Sequence, residues 1–229
     1  MSKKKKEDAP ELVEGVENAL SRTEQYIEEN QKSLTIIVAA IIIIVGGYLG
    51  YKRFIVTPKE AEAQSQMFMA EKYFEMDSLN LALNGDGNYL GFLDIIDDYG
   101  ITSAANLANY YAGISYLHLG QYQQAIDYLK DFDANDEMIG PIAYGAIGDA
   151  YVELGDLEQG VTFYEKAANK GGNEFVTPIY LMKAGEVYEN LEKYQKALEA
   201  YQRIEKDYKQ TSEGRQIEKY ITRVKLHID

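Results

Sequence analysis

The residues of this sequence that could do chemistry are few. They are two histidines, some paired aspartates and a run of asparagine, aspartate and glycine at Asn84–Asn88. His118 and His227 fall in different segments, and neither has a second ligand at helical spacing, so no metal site or nucleophile–base pair is built on them. The run from Asn84 has the flavour of a calcium loop, but its sixth position is Tyr89 where glycine is required and its twelfth is Ile95 where glutamate is required. Asp97–Asp98 and Asp131–Asp133 stand at helix ends and turns, where carboxylates are ordinarily solvated. No nucleophile elbow and no phosphate-cradling glycine loop occurs. The absence of cysteine removes disulfides, thiolate nucleophiles and thiolate-bound metals, and it suits oxidising and reducing compartments equally. The sequence therefore reads as a protein that is not an enzyme and needs no cofactor.

Charge narrows the partners. The formal net charge is −14, and between residues 60 and 150 only 2 basic residues face 15 acidic ones. Such a surface repels phosphate backbones, which excludes nucleic acid as a partner.

What must position any site is a set of helices that repeat. "GISYLHLGQYQQAIDYLKDF" begins at Gly113, "GDAYVELGDLEQGVTFYEKA" at Gly148 and "GEVYENLEKYQKALEAYQRI" at Gly185. Each opens with glycine, and tyrosine follows three residues later at Tyr116, Tyr151 and Tyr188. Gly120 and Gly155 come seven residues after the opening glycine, with Glu192 in the third copy, and Ala125, Gly160 and Ala197 come twelve after it. Two antiparallel helices per copy explain the pattern. Small residues at Gly113, Gly148, Gly185, Ala125, Gly160 and Ala197 let the helices approach, the tyrosines fill the space between them, and Gly120 and Gly155 stop the first helix. Pro141 and Pro178 fall in the first turn of a first helix, where a missing N–H costs no hydrogen bond. Upstream, "KEAEAQ…LNLALN" reads as one long helix, followed by a turn at Asn84–Asn88 and a second helix to about Tyr99.

This pattern resembles the tetratricopeptide repeat, with three copies over residues 106–210 and departures at Gly160, Glu192 and Phe132. The resemblance implies an all-α helical solenoid. A linker helix and degenerate repeat over 57–105 and a capping helix over 211–229 would close its ends. It also implies a partner-binding groove lined by the first helix of each repeat. The inward positions are Tyr110, Ile114, Leu117 and His118, then Asp149, Val152 and Glu153, then Met182, Glu186, Glu189 and Asn190. That groove would be apolar and aromatic at one end and acidic toward the other, suited to a protein segment of some basic character. Ile114, Leu117 and Val152 serve equally well as core between helices.

Ahead of the repeats, Leu34–Tyr51 carries no charge over 18 residues, and Phe54–Val56 resume the apolar character after Lys52 and Arg53. A membrane-spanning helix needs about 20 apolar residues, and residues 34–56 qualify if the two basic side chains snorkel to the headgroups. A largely polar segment of more than 30 residues precedes the run and no small-x-small site follows it, so it reads as an uncleaved anchor. Within it, Gly46, Gly47 and Gly50 offer a small-residue face for helix packing, a spacing common in apolar helices generally. Residues 1–33 read as a charged tail with Lys3–Lys6, then an acidic helix whose Val13, Val16, Leu20, Thr23 and Ile27 form a narrow stripe. That helix is either solvated or a docking element.

Basic residues flank the span on both sides, Arg22 and Lys32 before it, Lys52, Arg53 and Lys59 after it. The lysine tail is costly to translocate, while long domains translocate largely regardless of charge. The balance favours a cytoplasmic N-terminus. A short cytoplasmic segment, one anchor and exported repeats, with the region "FLDIIDDYGITSAANLANYYAGISYLHLG" from Phe92 to Gly120, together resemble the YfgM-like ancillary subunits of the bacterial Sec translocon, in a Bacteroidetes-type form. That resemblance implies an inner-membrane protein with a periplasmic repeat domain. Its partners would be the Sec channel, an anchored PpiD-type chaperone and exported polypeptide segments. A scaffold of another envelope assembly, in secretion or division, and a cytoplasm-facing adaptor are the alternatives.

Overall fold

The structure, a computed structural model, describes residues 29–228, and the chain divides into two compact units, residues 1–57 and 58–229. The lysine tail, most of the acidic helix with its apolar stripe, and Asp229 lie outside the described residues. The described residues are helical or irregular, and none forms a strand.

In the first unit α1 spans Gln31–Tyr51 and buries nothing. One helix near the N-terminus, containing this segment, is long and apolar enough to cross a membrane. Gly46, Gly47 and Gly50 stand in open space, with no atom within 4 Å of where a Cβ would sit. A π-helical turn follows at Lys52–Val56, and the Thr57 hydroxyl donates to the Lys52 carbonyl across it at 2.9 Å. Pro58 has no N–H to offer four residues back, and a widened turn is a way for a helix to accommodate that loss.

The second unit is a stack of helical hairpins. It runs α2 (Thr57–Glu75), α3 (Leu79–Asn84), α4 (Phe92–Tyr99), α5 (Ser103–His118), α6 (Tyr122–Asp131), α7 (Ile139–Glu153), α8 (Leu157–Gly171), α9 (Thr177–Asn190), α10 (Tyr194–Asp207) and α11 (Ile217–Lys225). Each of α5–α6, α7–α8 and α9–α10 is one hairpin. Its first helix ends in a Schellman turn. The N–H of Gln121, Asp156 or Lys193 donates back to the carbonyl of Tyr116, Tyr151 or Tyr188, around a left-handed Gly120, Gly155 or Glu192.

The same turn appears a fourth time, and it corrects the sequence-based expectation of one long helix to Asn84. α2 stops at Glu75 because Ser78 N–H donates to the Tyr73 carbonyl around Asp77, whose φ is +57°. Asp77 is not a residue that announces a helix stop as glycine does. Ala70, Tyr73, Asp77 and Ala82 occupy the spacing of Gly113, Tyr116, Gly120 and Ala125, so α2 and α3 begin a further repeat. Its second helix is interrupted after Asn84. Asp86 forms the turn there by accepting from Asn88 and Tyr89 N–H, and it holds the Tyr73 hydroxyl at 2.8 Å. Glu60 of α2 caps α5 by accepting from Ser103 N–H at 2.6 Å.

Packing follows the small-residue rule. Gly113, Gly148 and Gly185 each face the residue sixteen positions later on the second helix: Leu129, Tyr164 and Tyr201. Any Cβ at the glycine would overlap that side chain, which is why the helices can lie so close. Ala125, Gly160 and Ala197 are buried in the same interfaces. At the far end α11 buries Ile217, Ile221 and Val224 along one stripe and covers the last hairpin.

Candidate protein-binding surface of the repeats

The first helices α5, α7 and α9 carry the residues expected to line a groove, and they differ in what they leave exposed. Leu117, His118, Asp149, Val152 and Glu153 come together around one depression, joined by Tyr122, Tyr164 and Lys183. Tyr110 and Ile114 are half-buried, and Tyr110 packs on Phe132 with ring centroids 5.5 Å apart. Met182 is only 8% exposed and belongs to the core of the last hairpins, where it offers a partner little surface. It holds the position that Gly145 holds one repeat earlier, and the ring of Tyr180 lies directly over Gly145. Glu186 and Asn190 are exposed.

Two of the acidic positions are engaged within the chain. Asp149 receives both the Tyr164 hydroxyl at 2.5 Å and the Lys183 ammonium at 2.6 and 2.9 Å. Glu189 receives the Tyr201 hydroxyl at 2.7 Å and a two-pronged guanidinium from Arg223 at 2.9 and 2.6 Å. Each set joins a carboxylate on a first helix, a tyrosine on the second helix of the same hairpin, and a cation 34 residues after the carboxylate. The pairs are partly exposed, so each contributes at most about 1 kcal/mol. Burial first, then the hydrogen bond to the carboxylate, pushes the Tyr164 and Tyr201 hydroxyls far above the usual tyrosine range, and burial does the same to Tyr180.

The electrostatics of the surface therefore differ from a uniformly acidic one. Asp149 and Glu189 are neutralised struts between repeats, while Glu153 and Glu186 remain as exposed carboxylates; Glu153 accepts the Tyr122 hydroxyl at 3.4 Å. Lys183, Arg223, Tyr164, Tyr180 and Tyr201 stand outside the sequence-based expectation. The signal that could have found the cations is the spacing itself, a carboxylate followed by a base at one repeat length.

Three stretches match family models described as tetratricopeptide repeat: residues 142–169 match one, and residues 107–135 and 180–211 match another. These are tetratricopeptide repeats. Among solved structures, the tetratricopeptide domain is similar to nearly identical TPR-like repeats assigned to a kinesin light chain of Podosopora anserina. One form of those repeats, carrying a single substitution, matches at 12% identity with a TM-score of 0.54, over 74% of this chain and 87% of that one. It is similar also to the MamA protein, at 16% identity with a TM-score of 0.52, over 72% of this chain and 88% of that one. At these identities the likeness is one of fold. No curated protein matches the chain by sequence. Tetratricopeptide repeats are typically non-catalytic scaffolds for protein–protein interaction, and that is what these repeats indicate here.

Proposed function

We propose that the chain is a membrane-anchored protein-binding scaffold, held by one N-terminal span in a bacterial inner membrane with its tail in the cytoplasm and its tetratricopeptide domain in the periplasm. There it acts as an accessory to the Sec translocon, with an anchored PpiD-type chaperone, on newly exported polypeptides. The observation that carries the binding role is the depression where Leu117, Val152 and the open carboxylate Glu153 are displayed beside internally neutralised Asp149, with exposed Glu186 and neutralised Glu189 on the next first helix, α9. Such a surface offers apolar area and two open negative charges, which suits a segment with apolar and basic residues. The four-lysine tail and the apolar helix support the orientation. Gly46, Gly47 and Gly50 give α1 a face on which a helix of the channel or the chaperone could pack closely.

The test has two parts. A topology reporter fused after Asp229 should be active outside the cytoplasm; cytoplasmic activity would assign the chain to a cytoplasm-facing adaptor. Crosslinking of the full chain followed by purification in gentle detergent should then enrich channel subunits and periplasmic chaperones. Enrichment of a different envelope complex without them would overturn the translocon role while leaving the scaffold role in place.

A further inference from the structure

Comparing the three hairpins position by position exposes a gap in the last one. Fifteen residues after the opening glycine, the first hairpin has Tyr128 and the second has Phe163. Each ring stacks on the tyrosine of its own first helix: Tyr128 on Tyr116 with centroids 5.3 Å apart, Phe163 on Tyr151 at 5.5 Å. In the third hairpin this position is Ala200, and the floor has shrunk as well. Leu181 replaces Tyr144 of the second hairpin, and Ala184 replaces Ile147. Tyr188 has no ring stacked on it among the described residues. In place of the missing side chain lies a cleft of about 230 Å³ between α8 and α10, open on one side. Leu181, Ala184 and Tyr188 of α9 form its floor, Ala168 and Ala200 stand on its walls, and Glu165, Asn169, Lys196, Glu199 and Arg203 surround its mouth.

We propose that this cleft is a binding site for one aromatic side chain of a partner polypeptide, which enters between α8 and α10 and stacks on Tyr188 as Tyr128 and Phe163 stack within their own hairpins. The two filled hairpins show the shape and orientation of the occupant. Tyr188 is held ready by its hydroxyl, which donates to Glu165 at 2.6 Å. Lys196 stands over the Tyr188 ring at 5.4 Å. On its flexible stem it can cover an incoming ring as Lys166 covers Phe163 at 4.3 Å. Arg203 is drawn aside to Asn169 at 2.7 Å, and with Glu165 and Glu199 it gives the mouth a mixed-charge rim suited to the backbone on either side of the anchoring ring. The site rests on the reading of the domain as a polypeptide binder, but it lies apart from the depression around Val152 and is tested separately.

The test uses the full chain in nanodiscs with isotope-labelled alanine methyl groups. The probes are an uncharged glycine–serine nonapeptide with one central phenylalanine, the same peptide with leucine, and p-cresol. The phenylalanine peptide should shift the Ala184 and Ala200 methyl resonances upfield and saturably, by ring current, and the leucine peptide should not. Ala200→Phe and, independently, Ala184→Ile should each abolish the shift. By filling the space, Ala200→Phe should also raise the melting temperature by about 2–4 °C. No shift with the phenylalanine peptide, an equal shift with leucine, or persistence of the shift in the folded Ala184→Ile variant would overturn the proposal. Binding of p-cresol without the peptide would assign the cleft to a small aromatic molecule and overturn it likewise. Changes confined to residues around Val152 would leave the groove reading standing and this one refuted.

Discussion

Gly185 on α9 lies directly beneath the ring of Tyr201 on α10, so close that a Cβ at residue 185 would overlap the ring. The same relation joins Gly148 to Tyr164 and Gly113 to Leu129, and it sets the separation of the two helices in every hairpin. Tyr201 is fully buried and its hydroxyl reaches Glu189. The glycine thus positions a packing ring and a polar strut together.

Gly148→Leu should force α7 and α8 apart. Its Cβ alone would stand 2.6 Å from the Tyr164 ring, and overpacking of this kind costs about 1–3 kcal/mol or more. Thermal or denaturant unfolding of the full chain should register a clear loss. An unchanged midpoint would mean that the interface does not depend on the glycine.

Glu192 occupies the left-handed position that Gly120 and Gly155 hold in the other hairpins, at φ +57°. A non-glycine residue there costs on the order of 1 kcal/mol. Glu192→Gly should therefore stabilise the protein by a similar amount, less the extra freedom it gives the unfolded chain. A lowered melting temperature would show that the Glu192 side chain compensates for its own strain.

The buried tyrosines make stability depend on alkaline pH. Tyr164, Tyr180, Tyr188 and Tyr201 are all raised above the ordinary tyrosine value, chiefly by burial. Folding therefore holds their protons more tightly than the unfolded chain does. Their contribution is fully present below the unfolded value of about 10 and declines as pH rises beyond it, since the unfolded state ionises first. Melting temperatures between pH 8 and 11 should fall steeply at the top of the range. The double variant Tyr164→Phe/Tyr201→Phe should flatten the fall, and an identical slope in that variant would refute the assignment.

Lys183→Met should cost no more than about 1 kcal/mol, because the pair with Asp149 is partly exposed. A double-mutant cycle with Asp149→Asn isolates the coupling, which should shrink in high salt. A coupling of several kcal/mol would mark the strut as a dominant element of the repeat interface.

The hairpins were legible because their determinants are local. Glycine three residues before tyrosine, a helix-stopping glycine four residues further on, and a small residue after that are all backbone demands, so they recur at fixed spacing. The fold class was read correctly from them. The break at Glu75 was not legible, because Asp77 adopts a conformation that usually advertises itself through glycine. The surroundings of the expected groove residues were only partly legible. Position placed Leu117, Val152 and Glu153 around one depression, but the neutralisation of Asp149 and Glu189 depends on cations two helices further along the chain, Lys183 on α9 and Arg223 on α11. Met182 shows the limit of carrying positions from repeat to repeat, since the same position is a half-buried Tyr110 in the first hairpin, a Gly145 covered by a ring in the second and a core methionine in the third. The gap beside Tyr188 becomes visible only when the rings of the other two hairpins are seen in place.

The central claim is that the face carried by the first helices binds polypeptide, and site-specific photo-crosslinking from the full membrane-anchored chain in cells tests it most directly. A crosslinker at Val152, beside Leu117 and Glu153, should capture polypeptide, whereas one at Gln123, exposed on the second helix α6, should not. Glu186→Lys, which reverses an exposed charge, should weaken capture at Val152 without lowering the melting temperature. Equal capture at both positions, or none at Val152, would contradict the account.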